Sequence, residues 1–326
     1  MIRNTLPMSL MIGNLQQNVT DLKARMQSVS TEAVTGRVSD VTKHLNGRIG
    51  SAMLGQKALD DLATEKSQLH LRASRLDVVQ NSLEKIQSGM DGLSARMLDA
   101  VGFSSEVDLV NVTRDAELEL GNMLSRLNAR HGERYLFAGD ATSTPPFAGA
   151  DQLIADIEAL AGAATDAADF EAQLDAYFTD PAGGWQQTIY RGTATASDSE
   201  AKTAIDPAIT ELARGLAVMA ISGPGGAIDA IPDADTARMT AANTLAAGQT
   251  ALTNMRADVG IDQRRLSDRL SDLDREKTIL TETFNQMTAR DQYDAAAELK
   301  VLEANLETSY ALTARLSNLS LMNFLR

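Results

Sequence analysis

IGNLQQNVTDLKARMQSVSTEAVTG, residues 12–36, places Ile12, Leu15, Val19, Leu22, Met26, Val29 and Ala33 at steps of three and four without a break. Such steps lay one apolar seam along a helix, the pattern of a coiled coil, and Thr35-Gly36 supplies the stop. A helix with one stripe cannot face water alone, because burying each leucine is worth roughly 1.5–3 kcal/mol. The stretch therefore requires a partner helix, in the same subunit or in another.

The far end of the chain offers one. Leu266, Leu270, Leu273, Lys277, Leu280, Phe284 and Met287 step by four and three. After RDQYDAAAE (290–298) the register shifts by about one residue, and Leu299, Leu302 and Leu306 continue the seam, with Leu312, Leu316 and Leu319 beyond it. A shift of this kind marks a joint between rigid pieces. The outermost stripes, 12–33 and 299–324, have few partners within one small bundle, so they are expected to order on assembly. Further in, Leu69, Ala73, Leu76, Val79, Leu83, Ile86, Met90, Leu93 and Met97 hold one apolar face, interrupted after it by Gly102 and Ser104-Ser105. A third helix is expected over 106–131, carrying Val107, Val110, Leu120, Met123, Leu124 and Leu127. The stretch 37–48 loses the pattern and reads as a connector.

The character changes at Gly132. Eight of the thirteen aromatics lie between Tyr135 and Tyr190, and six of the seven prolines between Pro145 and Pro232, which sets this part off from the helical ends. The block GERYLFAGDATSTPPFAG (132–149) is the seam: Gly132 is expected to end the long helix, Tyr135 and Phe137 to anchor the exit, and Pro145, Pro146 and Phe147 to fix the entry to an outer domain. Within that domain 151–178 and 205–221 read as helices, and runs such as Gln187–Arg191 as short strands. The fold class is thus mainly α with an α+β middle domain. Residues 1–45 pair with 290–326 as a coiled-coil bundle, 46–134 bundle with 246–289, and 135–245 form the mixed outer domain.

Chemistry is sparse. The 326 residues include no cysteine, which excludes disulfides, thiolate catalysis and Cys-ligated metal sites. A net charge of −14 argues against nucleic-acid binding and against docking on anionic lipid. His44, His70 and His131 stand far apart, and HGE (131–133) reads as a helix end rather than a catalytic pair. SGPGG (222–226) lacks the Lys and Ser/Thr of a phosphate loop. DQRRLSDRLSDLDREK (262–277) reads as a solvated helix surface with i,i+4 pairs. No catalytic, cofactor or metal site is expected. The opening residues lack the pattern of a cleaved secretory signal, and no run of 18 apolar residues suggests membrane insertion.

The two ends carry a resemblance. AAAELKVLEANLETSYALTARLSNLSLMNFLR (295–326) resembles the C-terminal helix of the flagellin family, on Leu299, Leu302, Leu306, Ser309, Tyr310, Leu316, Leu319, Leu321 and Phe324. LKARMQSVSTEAVTGRVSD (22–40) resembles the family's first helix and its stop. Tyr135, Leu136, Phe137, Ala138 and Gly139, followed by Thr142, Pro145, Pro146 and Phe147, are similar to a block in the hook–filament junction branch of that family, and YRG (190–192) to a second landmark. The connector departs from the family pattern: VSDVTKHLNGRIG (38–50) has one Asp and no proline. The resemblance implies an extracellular flagellar subunit, exported without a cleaved signal and escorted by a flagellar export chaperone. Its partners would be further copies of itself, hook-associated protein 1 on the hook side, and flagellin. The implied assembly interface is Ile12, Leu15, Val19, Leu22, Met26, Val29, Leu299, Leu302, Leu306, Leu312, Leu316, Leu319 and Phe324. A minor flagellin and, in a different class, a cytoplasmic coiled-coil adaptor or signalling protein are the alternatives.

Overall fold

Helix dominates the computed structural model, which describes residues 8–45, 49–197 and 201–324, with the side chains of 8–12, 42, 45, 49 and 316–324 outside that description. Helix α1 is Met8–Thr35, α2 Val41–Leu45, α3 Ile49–Gly89, α4 Leu93–Gly102 and α5 Glu106–Leu127. A two-residue hairpin, β1 (Arg130–His131) with β2 (Arg134–Tyr135), follows. Then come α6 (Asp151–Ala163), α7 (Ala167–Thr179), α8 (Pro207–Ala220), the long α9 (Ala234–Thr288) and α10 (Gln292–Phe324). The chain divides into two units: Met1–Lys66 with Asp272–Arg326, and Ser67–Ser271.

In the first unit α1 packs against α10. The start of α3 runs beside the end of α9: Lys66 pairs with Asp274 at 2.5 Å, and a Cβ on Gly55 would touch the Phe284 ring at 3.7 Å. Leu62 and Leu273 are buried there, while Lys277, on the same stripe, reaches solvent.

The second unit buries the stripe read from Leu69 to Met97. Leu69, Leu76, Val79, Leu83, Ile86, Met90, Leu93 and Met97 are all in its core. The stripe runs through two helices rather than one. Gly92 takes a left-handed conformation (φ 73°) that only glycine adopts freely, so the chain re-enters helix with the same face inward. Two hydrogen bonds to α9 stitch this break. Gln249 donates to Met90 O at 2.8 Å, and Ala242 O accepts from Ser94 at 2.7 Å.

Several local expectations are corrected. Helix α5 ends at Leu127, not at Gly132, because Asn128 turns out of the helix to donate to Phe147 O (2.9 Å) and accept from Phe147 N–H (3.0 Å). Gly132 sits instead at the hairpin tip with φ 62°. Val107 and Val110 lie on the outer face of α5 and are exposed, since Val112, Ala116 and Leu120 set the buried face. Among the described residues no strand forms in 136–245 beyond a single bridge pair, Ala138 with Thr203. Gln187–Arg191 is not a strand: Trp185–Ile189 is a wide π turn closed by Tyr190 N–H on Trp185 O. Burial of Trp185, whose indole N–H donates to Ala204 O at 3.1 Å, draws the backbone inward there.

The middle of the second unit is held by that aromatic group. Phe147 and Phe178 each stack on Trp185 at 5.4 Å between centroids, and they in turn meet Tyr190 (5.7 Å) and Tyr177 (5.1 Å) respectively. Helices α8 and α9 meet at small residues, where a methyl on Gly215 would stand 2.8 Å from Leu245 N and one on Gly248 2.9 Å from Leu212 N.

Candidate assembly element and seam

The seam of α1 is built from the residues its spacing selects. Val29 is buried, and Leu22, Met26 and Ala33 pack against it from the same face. Opposite them α10 contributes Ala295 and Leu302, both buried, with Leu299 beside them. Leu15, Val19 and Leu306 are half-buried further out. The α10 side then continues at Ser309 and Thr313, which are half-buried, whereas Leu312 is 49% exposed. Steps of three and four from Ala295 through Leu299, Leu302 and Leu306 lead to 309 and 313; Leu312 falls one residue off and points away. Leu312 is therefore outside the intramolecular seam. The side chains of Ile12, Leu316, Leu319 and Phe324 lie outside the described residues.

Sequence reasoning missed Ala295, although it stands seven residues before Leu302 and so one heptad back on the same stripe. It also missed a charged group where the two helices meet their links. Glu32, itself buried, accepts from Ser39 N–H at 2.8 Å and stands 3.7 Å from Arg290 Nε. Arg290 Nη2 donates to Glu298 at 2.6 Å, and the other oxygen of Glu298 accepts from Arg25 at 2.7 Å. Nothing in the spacing of four charges spread over three segments announces such a cluster.

The expected joint lies at the same place. Helix α9 stops at Thr288, and the links pair as one antiparallel bridge, Arg37 with Ala289. Val38 N–H donates to Thr288 O (3.1 Å) and Arg290 N–H to Gly36 O (2.9 Å). Gly36 holds φ 65° and caps α1 in the left-handed conformation, with its own N–H on Glu32 O. The register shift read from the sequence thus has a physical cause, a break of three residues between two helices.

The seam block folds within the second unit. Phe137 is fully buried, and its carbonyl accepts from the Tyr190 hydroxyl at 3.1 Å; burial pushes that hydroxyl up to about 12. Tyr135 is half-buried with the Arg130 guanidinium 5.1 Å from its ring. Pro146 and Phe147 are buried and Pro145 half-buried, and Pro146 O accepts from Arg191 N–H. Gly139 adopts φ 61° against the strand-like return: a Cβ there would stand 2.4 Å from Thr193 O. Asp140 accepts from Ser197 N–H at 2.7 Å, and that bond holds its carboxyl below the usual carboxylate value. His131, beside this block, shares a 3.0 Å hydrogen bond with Ser74.

Among the described residues no three His, Asp or Glu side chains are grouped to hold a metal ion. No helix among them is long and apolar enough to cross a membrane. A search of curated proteins returns no match. Residues 242–325, most of α9 and all of α10, match the family model of the bacterial flagellin C-terminal helical region. That similarity includes the helix that carries Ala295, Leu299, Leu302 and Leu306.

Proposed function

We propose that this chain is a structural subunit of the bacterial flagellum and forms the junction between hook and filament. The observation that carries the flagellar reading is the match over 242–325, which coincides with a C-terminal helix that pairs with the N-terminal one. A two-helix pair with one thin seam leaves most of its surface to neighbours, as a polymer subunit requires and an enzyme does not. The finer assignment rests on the Tyr135–Gly139 and Pro145–Phe147 block, which is a built turn here and resembles that of junction proteins. In this reading further copies of the chain, hook-associated protein 1, flagellin and an export chaperone are its partners, and export proceeds without a cleaved signal.

The match itself favours a second reading, a minor filament subunit, because the matched family is flagellin. Deletion of the gene in the parent organism separates the two. Cells lacking the junction protein keep hooks and shed flagellin monomers into the medium; normal filaments and motility would contradict the junction role.

A further inference from the structure

We propose that the α4–α5 turn of the second unit is a docking surface for a cationic segment of another protein, one that sets apolar side chains among lysines or arginines. Phe103 on this turn is 83% exposed, and Val107 and Val110, which follow it at steps of four and three, are 72% and 52% exposed. Val107 and Val110 are neighbours on one face of α5. Scattered apolar residues on a surface are ordinary, but a phenylalanine followed by two valines at these steps forms a patch. The turn that carries it is fixed. Ser104 holds the left-handed conformation (φ 50°) that residues with a side chain rarely adopt. The N–H groups of Phe103, Ser104 and Ser105 donate to Asp99 O, Val101 O and Ala100 O at 2.9–3.1 Å. Ser105 then caps α5, accepting from Asp108 N–H. A patch held in place beforehand loses little freedom when it is covered.

The rim of the patch is acidic. Asp99, Glu106 and Asp108 are exposed, and among the described residues none of the three has a cationic partner; Asp108 accepts from the Ser105 hydroxyl at 2.6 Å. Beside the patch, a cleft of about 230 Å³ is lined by Val101, Leu109 and Pro224 and by Glu106, Asp229 and Asp235. The cations nearby are engaged or peripheral. Arg96 pairs with Asp115 at 2.7 Å, the buried Arg238 pairs with Asp229 and Asp235, and Arg114 stands one turn beyond Val110. An apolar centre with acidic edges complements an apolar segment edged with positive charge. A second copy meeting it patch to patch would bring two acidic rims together, on chains that each carry a net charge of −14. The inference goes beyond the flagellar reading and rests on the second unit alone.

Titrating the full chain with two dye-labelled amphipathic peptides, one of leucine and lysine and one of leucine and glutamate, tests this. The Leu/Lys peptide should bind, more weakly as salt rises, and the Leu/Glu peptide should not. Phe103→Ser combined with Val107→Ser should weaken that binding by about tenfold. Asp99→Asn combined with Glu106→Gln should weaken it by about threefold and flatten its salt dependence. Leu71→Ser, on α3 and at a position 53% exposed, should leave it unchanged. Emission from the buried Trp185 shows that the second unit is folded in every variant. The proposal is overturned by no binding of either peptide, by equal binding of both, by binding that survives either double change, or by an equal loss from Leu71→Ser. Self-association in sedimentation that Phe103→Ser abolishes would also overturn it, by making a second copy the occupant.

Discussion

Gly215 and Gly139 show how single positions fix the second unit. A side chain at Gly215 has no room, because Leu245 N, Cα and Cβ lie within 2.9 Å of where its Cβ would be. Gly215→Val should therefore destabilise by about 1–3 kcal/mol through overpacking, read as a lower urea midpoint. Gly139→Ala meets both a left-handed φ and the Thr193 carbonyl, and is expected to cost at least the ~1–2 kcal/mol of the left-handed backbone. Asp140 gives a pH signature. The Ser197 N–H bond lowers its folded pKa from 3.8, so its contribution is present above that value and is lost as pH falls through the folded pKa. The Ser197 amide resonance should accordingly titrate with a midpoint below 3.8; a midpoint at or above it would remove the assigned bond. Asp229 follows the same sign: burial works to raise it, but hydrogen bonds from Arg238 and from Gly225 N–H prevail.

Helix faces are where the sequence was most legible. The seams of α1 and of Leu69–Met97 came directly from spacing, because apolar period determines which face is buried. The joint near residue 290 was legible too, since the register of leucines changes there. Spacing did not show which of two faces α5 buries, because Val107 and Val110 form a stripe as regular as Val112, Ala116 and Leu120 do. Nor did it show that Leu312 leaves the seam, because composition rewards a leucine over the Ser309 and Thr313 that hold the register. The π turn at Trp185 and the ion cluster at Arg290 arise from tertiary contacts, which no local pattern encodes. At this scale Leu302→Ala should destabilise the α1–α10 pair by about 2 kcal/mol, the low end for a buried leucine, as Leu302 retains 9% exposure. Leu312→Ala should leave the pair unchanged. Equal losses in helix-pair stability, measured by exchange at 26–33, would place Leu312 on the seam after all.

At the scale of the whole molecule, the chain is two units, one holding the α1–α10 pair with the start of α3 and the end of α9, the other a well-filled core. The flagellin similarity covers α10 and most of α9 and so falls in both units, and the second unit also carries the Tyr135–Phe147 block. A helix pair together with a folded body is what a subunit needs if it joins a polymer through its ends. The most direct test is to locate the chain on intact flagella with an antibody against residues 151–178. The account predicts label at one place per flagellum, between hook and filament. Label along the length of the filament, or none outside the cell, would contradict it.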